Sequence, residues 1–413
     1  MEIKNALKLA CIGGGTGLSS LLKGIKQYTS KTPDSSTIID MDNLSAIVSV
    51  SDDGGSSGRL VEEFDMLPPG DIRKLLFTLS DADELASLFE YRFSSDGDLG
   101  GHTIGNLLLT ALTDLNDGSF PKAIQAVSEL LAVRGRIIPV SLDCTVLCAE
   151  LADGEIVRGE SAIPKRGNRE PIKRVFLEPR ENGKNHSPLQ KPYECQAHQE
   201  AENAIRNSDV IIIGPGSLYT SIIPNLVVKG IADAIQASGA TKICVCNVMT
   251  QPGETDGYSV TDHINAIYNH TDISLDYIIV NSQPATEEVI REYIRQELTE
   301  QLTRIKSVVE EGLSMLKGTT EDPTDVLSLA KHISQLSVEA MQVANASTVQ
   351  IFYDRNREHL EDSGTKVIEA DLICDIVVTE RGMQMNVIRH DPEQLTRTLI
   401  KILSDHPKLH EPT

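Results

Sequence analysis

An apolar, strand-like run ends in Gly13-Gly14-Gly15-Thr16-Gly17, and a helix-like run follows from Leu18. Glycines let a chain turn at positive φ and let an anion approach the backbone closely. The helix behind them presents free N–H groups and the positive end of its dipole. Thr16 adds a hydroxyl donor, so the loop suits a phosphate. The spacing is neither GxGxxG nor GK[ST], because Leu18 and Ser19 follow Gly17 and the next glycine is Gly24. A dinucleotide loop and a simple NTPase loop are therefore not indicated. "IIIGPGSLYTSIIPNL" carries a second loop of phosphate type, Gly214-Pro215-Gly216-Ser217, with Tyr219, Thr220 and Ser221 as further hydroxyls. "CNVMTQPGETDGY" places Asn247, Thr250, Gln251, Glu254 and Asp256 at another strand end, where amides and carboxylates suit a base or sugar hydroxyls.

Acidic chemistry gathers in "VSVSDDGGSSGRL". Asp52 and Asp53 beside a glycine turn could hold Mg²⁺, which binds through one or two carboxylates plus substrate phosphates. Ser56, Ser57 and Arg59 suit an anion, and an Asp or Ser there could equally cap a helix. In "LPPGDIRKLL" the turn Pro68-Pro69-Gly70 makes Asp71 the expected cap of a helix starting at Ile72. Asp71 becomes a ligand only if its loop folds towards Asp52 and Asp53. In "GDLGGHTIGNLLLTAL", His102 and Asn106 stand four apart and can share one helix face. His102 could be a base, a phosphate donor or a plain turn histidine. No Ser lies in GxSxG and no Cys/His pair is evident, so nucleophilic hydrolysis is disfavoured.

The elements that must position these residues are short β-branched runs, each ending in Gly, Asp or Asn and followed by a helical pattern. Leu7–Gly13, Ser45–Val50, Asp209–Gly214, Lys242–Val248 and Asp276–Asn281 read this way. Continuous apolar strands alternating with helices predict a parallel sheet covered on both faces. Every polar motif then falls at the carboxyl edge, where open α/β sheets bind ligands. Ile137–Pro179 breaks the rhythm with short alternating runs and an Asp153-Gly154 turn, and reads as a small antiparallel β insert. Ile294–Ala346 is rich in Glu, Leu, Lys, Gln and Ser and reads as about two amphipathic helices.

Composition narrows the class. The 413 residues carry 38 basic and 60 acidic side chains, a net charge of −22, which disfavours nucleic acid and anionic membranes. Trp is absent and aromatics are 4%, so the core must be aliphatic. Seven cysteines without a CxxC pair point to reduced thiols and a cytoplasmic protein. No signal-peptide layout and no membrane-length apolar run is present.

Taken in order, "IGGGTGLS", "SDDGGSSGRL", "LPPGDIRK", "YRF", "GHTIGNLLL", "IGPGSLYTSIIPNL", "CNVMTQPGETDGY" and "VIRHDP" resemble the YvcK family. Its members are called gluconeogenesis factors or UDP-sugar-binding proteins, and it is related to CofD, the 2-phospho-L-lactate transferase. The resemblance spans Lys8–Ile290 and resumes over Val349–Leu403. It implies a CofD-like, Rossmann-type three-layer α/β fold and a nucleotide-diphosphate ligand across the strand ends. Applied to this chain, that ligand's contacts would be Gly13, Gly14, Gly15, Thr16, Gly17, Asn106, Gly214, Pro215, Gly216, Ser217 and Asn247. In the CofD branch the matching acidic residues, here Asp52, Asp53 and Asp71, hold the metal. The YvcK branch resembles a binder of UDP-N-acetylglucosamine that supports cell shape and wall-precursor supply on gluconeogenic carbon. There a Tyr and an Arg touch the nucleotide sugar, and Tyr293 and Arg389 match them. GPGS where the CofD branch tends to read GPSN favours the YvcK side.

The expected organisation is a nucleotide-binding α/β part over 1–136 and a β insert over 137–195. The second part of the core follows over 196–293, a helical insertion over 294–348 and a completing segment over 349–413. The insertion, longer than the family suggests, would add an interface and a homodimer. The leading expectation is a cytoplasmic binding or regulatory protein. A metal-dependent transferase of the CofD type, acting on a nucleotide-diphosphate-linked substrate, is the alternative. A dinucleotide oxidoreductase is disfavoured by the missing GxGxxG.

Overall fold

The structure is a computed structural model that describes residues 6–31, 38–95, 97–180, 193–291, 294, 295, 302, 306, 309, 349–353, 360, 364–380 and 383–410. Strand β1 (Leu9–Gly13) leads into helix α1 (Gly15–Lys31), and β2 (Ser45–Val48) into α2 (Gly55–Phe64) and α3 (Gly70–Leu79). Helices α4 (Asp83–Glu90), α5 (Ile104–Leu115) and α6 (Phe120–Leu130) precede β3 (Arg136–Pro139). Strands β4 (Thr145–Leu151), β5 (Ile156–Arg158) and β6 (Ile172–Pro179) follow. Next come α7 (Gln199–Arg206), β7 (Val210–Ile213), a π turn (Leu218–Ile222), α8 (Ile223–Leu226) and α9 (Ile231–Ala237). Then β8 (Thr241–Val245), α10 (Val260–Tyr268) and β9 (Tyr277–Asn281) complete this stretch. The chain ends with β10 (Lys366–Ala370), β11 (Ile373–Glu380), β12 (Met383–His390) and α11 (Pro392–Leu403).

Seven strands form one sheet in the order β10-β9-β8-β7-β1-β2-β3, and every pairing is parallel. The central strands β1, β2 and β7 are aliphatic and buried along their length, as helices on both faces require. The chain runs outward from β1 through β2 to β3, then returns to the other side of β1 as β7. The crevice between the carboxyl ends of β1 and β7 is therefore the topological switch point, the place where such sheets bind ligands.

Three local expectations change. Ile137-Ile138-Pro139 belongs to β3, the edge of the main sheet, and the antiparallel insert is only β5-β4-β6. Helix α1 starts at Gly15, so Gly15, Thr16 and Gly17 form its first turn. Pro69 is the N-cap of α3, and Asp71 lies inside its first turn without capping it.

The C-terminal segment returns to the core through a hairpin of β11 and β12 that no sequence pattern marked. It is pinned by His390, whose Nε2–H donates to the Cys246 carbonyl at 3.1 Å from deep burial. Burial holds its pKa down at about 4 against an ordinary 6.5. The folded state thus keeps His390 neutral while the unfolded chain protonates it. Its contribution is complete above pH ~6.5 and is lost as pH falls towards ~4, on the order of 3 kcal/mol. His390→Gln keeps a donor for Cys246 and does not titrate. Its stability should therefore fall less steeply than the native protein's between those pH values in urea unfolding. Equal slopes would show that His390 does not drive the acid loss.

Candidate functional site

The two glycine loops meet in the switch-point crevice, packed backbone to backbone. A Cβ on Gly17 would lie 2.5 Å from the Pro215 carbonyl oxygen and 2.8 Å from the Gly216 nitrogen. Gly15 sits at φ +61°, where side chains are disfavoured, and its N–H donates to Asp71 Oδ2 at 2.8 Å. That same carboxylate oxygen lies 2.7 Å from where a Gly14 Cβ would stand. Asn225, 0% exposed, ties the first loop to the turn that follows the second: its Nδ2 donates to the Gly13 carbonyl at 3.0 Å and to the Ser221 carbonyl at 2.6 Å. From the end of β8, Asn247 Oδ1 accepts from the Gly216 N–H at 3.3 Å, and Gln251 Nε2 donates to Ser217 Oγ at 2.7 Å. The structure thus brings Gly13–Gly17, Gly214–Ser217 and Asn247 into one place. Sequence reading missed Asn225; the signal was an Asn inside the apolar "IIPNL".

Carboxylates line the neighbouring wall. Asp52 Oδ1 accepts from the Gly54 N–H at 2.9 Å, and Asp53 Oδ1 from the Ser161 N–H at 2.8 Å. The second bond draws the turn after β5 over the site, and this turn brings Glu160, which no motif singled out. Burial, then the charges of Asp52, Asp71 and Asp53, push the Glu160 carboxyl up to about 9. Burial is also the main cause that raises Asp52, opposed by the neighbouring Ser57 hydroxyl and the Gly54 N–H and assisted by Asp71 and Asp53. The acidic residues are therefore close enough to repel one another, and oxygen donors are what Mg²⁺ takes. Yet Asp52, Asp53 and Asp71 each hold a backbone N–H, and no group of three His, Cys, Asp or Glu is arranged to hold a metal ion among the described residues.

Behind the acidic wall, Asn106 Nδ2 donates to Ser56 Oγ at 2.9 Å, which leaves the Ser56 proton for His102 Nδ1, also at 2.9 Å. Burial first and Arg59 second lower the His102 pKa, so a neutral acceptor ring is consistent. Arg59 and Arg92 hold the preceding turn through the carbonyls of Gly100 and Gly101. The sequence showed Ser56 and His102 only as separate residues of two motifs.

The two remaining expected nucleotide contacts are Tyr293 and Arg389. Tyr293 lies outside the described residues. Arg389 is exposed on β12, opposite Cys374, and strand alternation turns it away from the side on which His390 meets Cys246.

Comparison with known proteins fits this geometry. The family 2-phospho-L-lactate transferase CofD matches residues 9–321. A gluconeogenesis factor of Halalkalibacterium halodurans is 45% identical over 298 residues, 72% of this chain and 83% of that protein. A gluconeogenesis factor of Bacillus subtilis is 46% identical over 288 residues, 69% of this chain and 82% of that protein. A crystal structure of a UPF0052 family member from Bacillus halodurans superposes with a TM-score of 0.70 at 35% identity, covering 96% of this chain and 99% of that one. With the glycine loops at the switch point and the acidic wall beside them, the chain belongs to the CofD family, among its gluconeogenesis factors.

Proposed function

We propose that the protein binds a nucleotide sugar, UDP-N-acetylglucosamine, as a sensor that supports wall-precursor supply and cell shape during gluconeogenic growth in the cytoplasm. The observation that carries this is the meeting of two glycine loops at the switch point, with helix α1 starting inside the first. Such a helix start favours a diphosphate. Asn247 and Gln251 at the next strand end offer amides to the sugar or base. Tyr293 and Arg389 are the further contacts proposed by resemblance, and a homodimer is the proposed assembly. Among the described residues no helix is long and apolar enough to cross a membrane.

A second reading is a CofD-type transferase that uses Mg²⁺. It is favoured by the mutually repelling carboxylates Asp52, Asp53, Asp71 and Glu160, whose negative charge a divalent cation would relieve. The residues that would hold the ion are Asp52, Asp53 and Asp71. Bound there, it would neutralise charge on a diphosphate.

The test is calorimetry with UDP-N-acetylglucosamine, with and without Mg²⁺, followed by chromatography of the mixture. A sensor returns the ligand intact and gains ~2.7 kcal/mol of stability at ~100 Kd of ligand. UMP, UDP or a conjugate formed catalytically by the native protein and not by Asp71→Asn would overturn the sensor and establish the transferase. No binding under either condition would overturn the ligand assignment.

A further inference from the structure

The loop after β8 holds the second glycine loop at three successive points. Asn247 takes the Gly216 N–H, Gln251 holds Ser217 Oγ, and the Glu254 carboxylate accepts from the Thr220 hydroxyl at 3.3 and 3.4 Å. The first two holds are neutral amides. The third is a carboxylate only 6% exposed, and it makes no ion pair among the described residues. Arg166, the cation whose charge acts on it, is turned to carbonyls: Ile163 at 2.7 Å, Glu170 at 3.0 Å and Gly253. A buried carboxylate without a contacting cation is costly, and a glutamine would fill the same space with the same acceptor oxygen. The charge therefore needs a reason beyond packing.

We infer that Glu254 is a positioning residue: its ionised carboxylate fixes Thr220, and through it the geometry of the adjoining Gly214–Ser217 loop, so that protonation loosens the loop. The consequence for ligand affinity rests on the nucleotide-sugar reading above. The consequence for the loop does not.

The direction follows from the groups that face Glu254. Arg166 from the insert and the bonds from Thr220 favour the ionised form. Burial and Asp256 oppose it, and the Glu254 charge in turn raises Glu160 on the insert and the Tyr219 phenol. Burial is the larger influence and pushes the Glu254 carboxyl up to about 7. Protonation then occurs across the neutral range and replaces the charge-assisted bonds from Thr220 with weaker neutral ones.

The experiment compares native protein, Glu254→Gln and Thr220→Val by hydrogen exchange of the 214–220 segment at pH 6 and pH 8, corrected for intrinsic exchange rates. The native loop is expected to be about three- to tenfold less protected at pH 6, and both variants to show no pH effect. A purely structural role would change protection by the same factor at both pH values. Thr220→Val keeps the test available if Glu254→Gln does not fold. UDP-N-acetylglucosamine titrations at the same pH values form the second arm. The native affinity should fall at pH 6 and the Glu254→Gln affinity should not change with pH. A native loop equally protected at both pH values, or a variant with the native slope, overturns the role of Glu254. A pH-sensitive native loop that binds no nucleotide sugar supports Glu254 and overturns only the ligand assignment.

Discussion

Gly17→Ala is expected to abolish nucleotide-sugar binding and to lower stability by ~1–3 kcal/mol, the usual cost of overpacking. The added methyl would stand 2.5 Å from the Pro215 oxygen, 2.6 Å from its carbonyl carbon and 2.8 Å from the Gly216 nitrogen. All three are backbone atoms, so no side chain can swing away. The loops must separate, and separation removes the paired donors that a diphosphate would need. Gly15→Ala is the contrast. Its Cβ would meet only Ser221 Oγ, at 3.8 Å, so it carries backbone strain from φ +61° without forcing the loops apart. That strain is worth roughly 1–2 kcal/mol. Calorimetry and thermal unfolding on the same samples separate the two effects. A folded Gly17→Ala protein that binds within threefold of native would show that the contact between the loops does not build the ligand site.

Strands β1, β2, β7, β8 and β9 were legible because they are largely aliphatic runs, whereas β10, with Lys366 and Glu369 in it, was not. Burial on both faces leaves no room for a polar alternation, so "LACIG" and "VIII" could only be interior strands. The glycine loops were legible for a related reason, since glycine at a strand end marks a turn that side chains would obstruct. Misreadings arose where local rules met distant partners. Leu18 was the expected start of α1 because glycine is a poor helix former. The helix begins at Gly15 instead, with its first turn braced by Asp71 from 56 residues away. The same bond explains why Asp71 is not a cap. "IIPVSL" fits a short antiparallel strand as well as a parallel edge strand, because a run that short has no decisive period. Its pairing with β2 settled the matter. Glu160 and the Ser56–His102 pair were not readable at all, because they arise from turns of unrelated segments arriving at one wall.

Asn225→Ala is expected to destabilise the protein by about 2–5 kcal/mol and to remove ligand binding with it. The carboxamide is wholly buried and its Nδ2 is shared between the Gly13 and Ser221 carbonyls, at 3.0 and 2.6 Å. Truncation leaves those two acceptors without this donor, in a cavity the size of the lost amide. A buried acceptor short of its donor costs up to about 1–3 kcal/mol; the Gly13 carbonyl would keep only the Ser49 N–H, at 3.4 Å, and both losses fall on one site. Asn225→Asp should be worse than alanine, because a carboxylate would face two carbonyl oxygens with no proton to offer. Asn225→Gln keeps the donor but overpacks the site, so its loss should be smaller than that of Asn225→Asp. This ranking, Gln least and Asp most, distinguishes a hydrogen-bonding role from a filling role. A pure filler would tolerate Asp, which matches Asn in shape, better than Gln. Urea unfolding of the three variants reads the order directly. If Asn225→Asp were as stable as the native protein, the Gly13 and Ser221 carbonyls would not be held by Asn225.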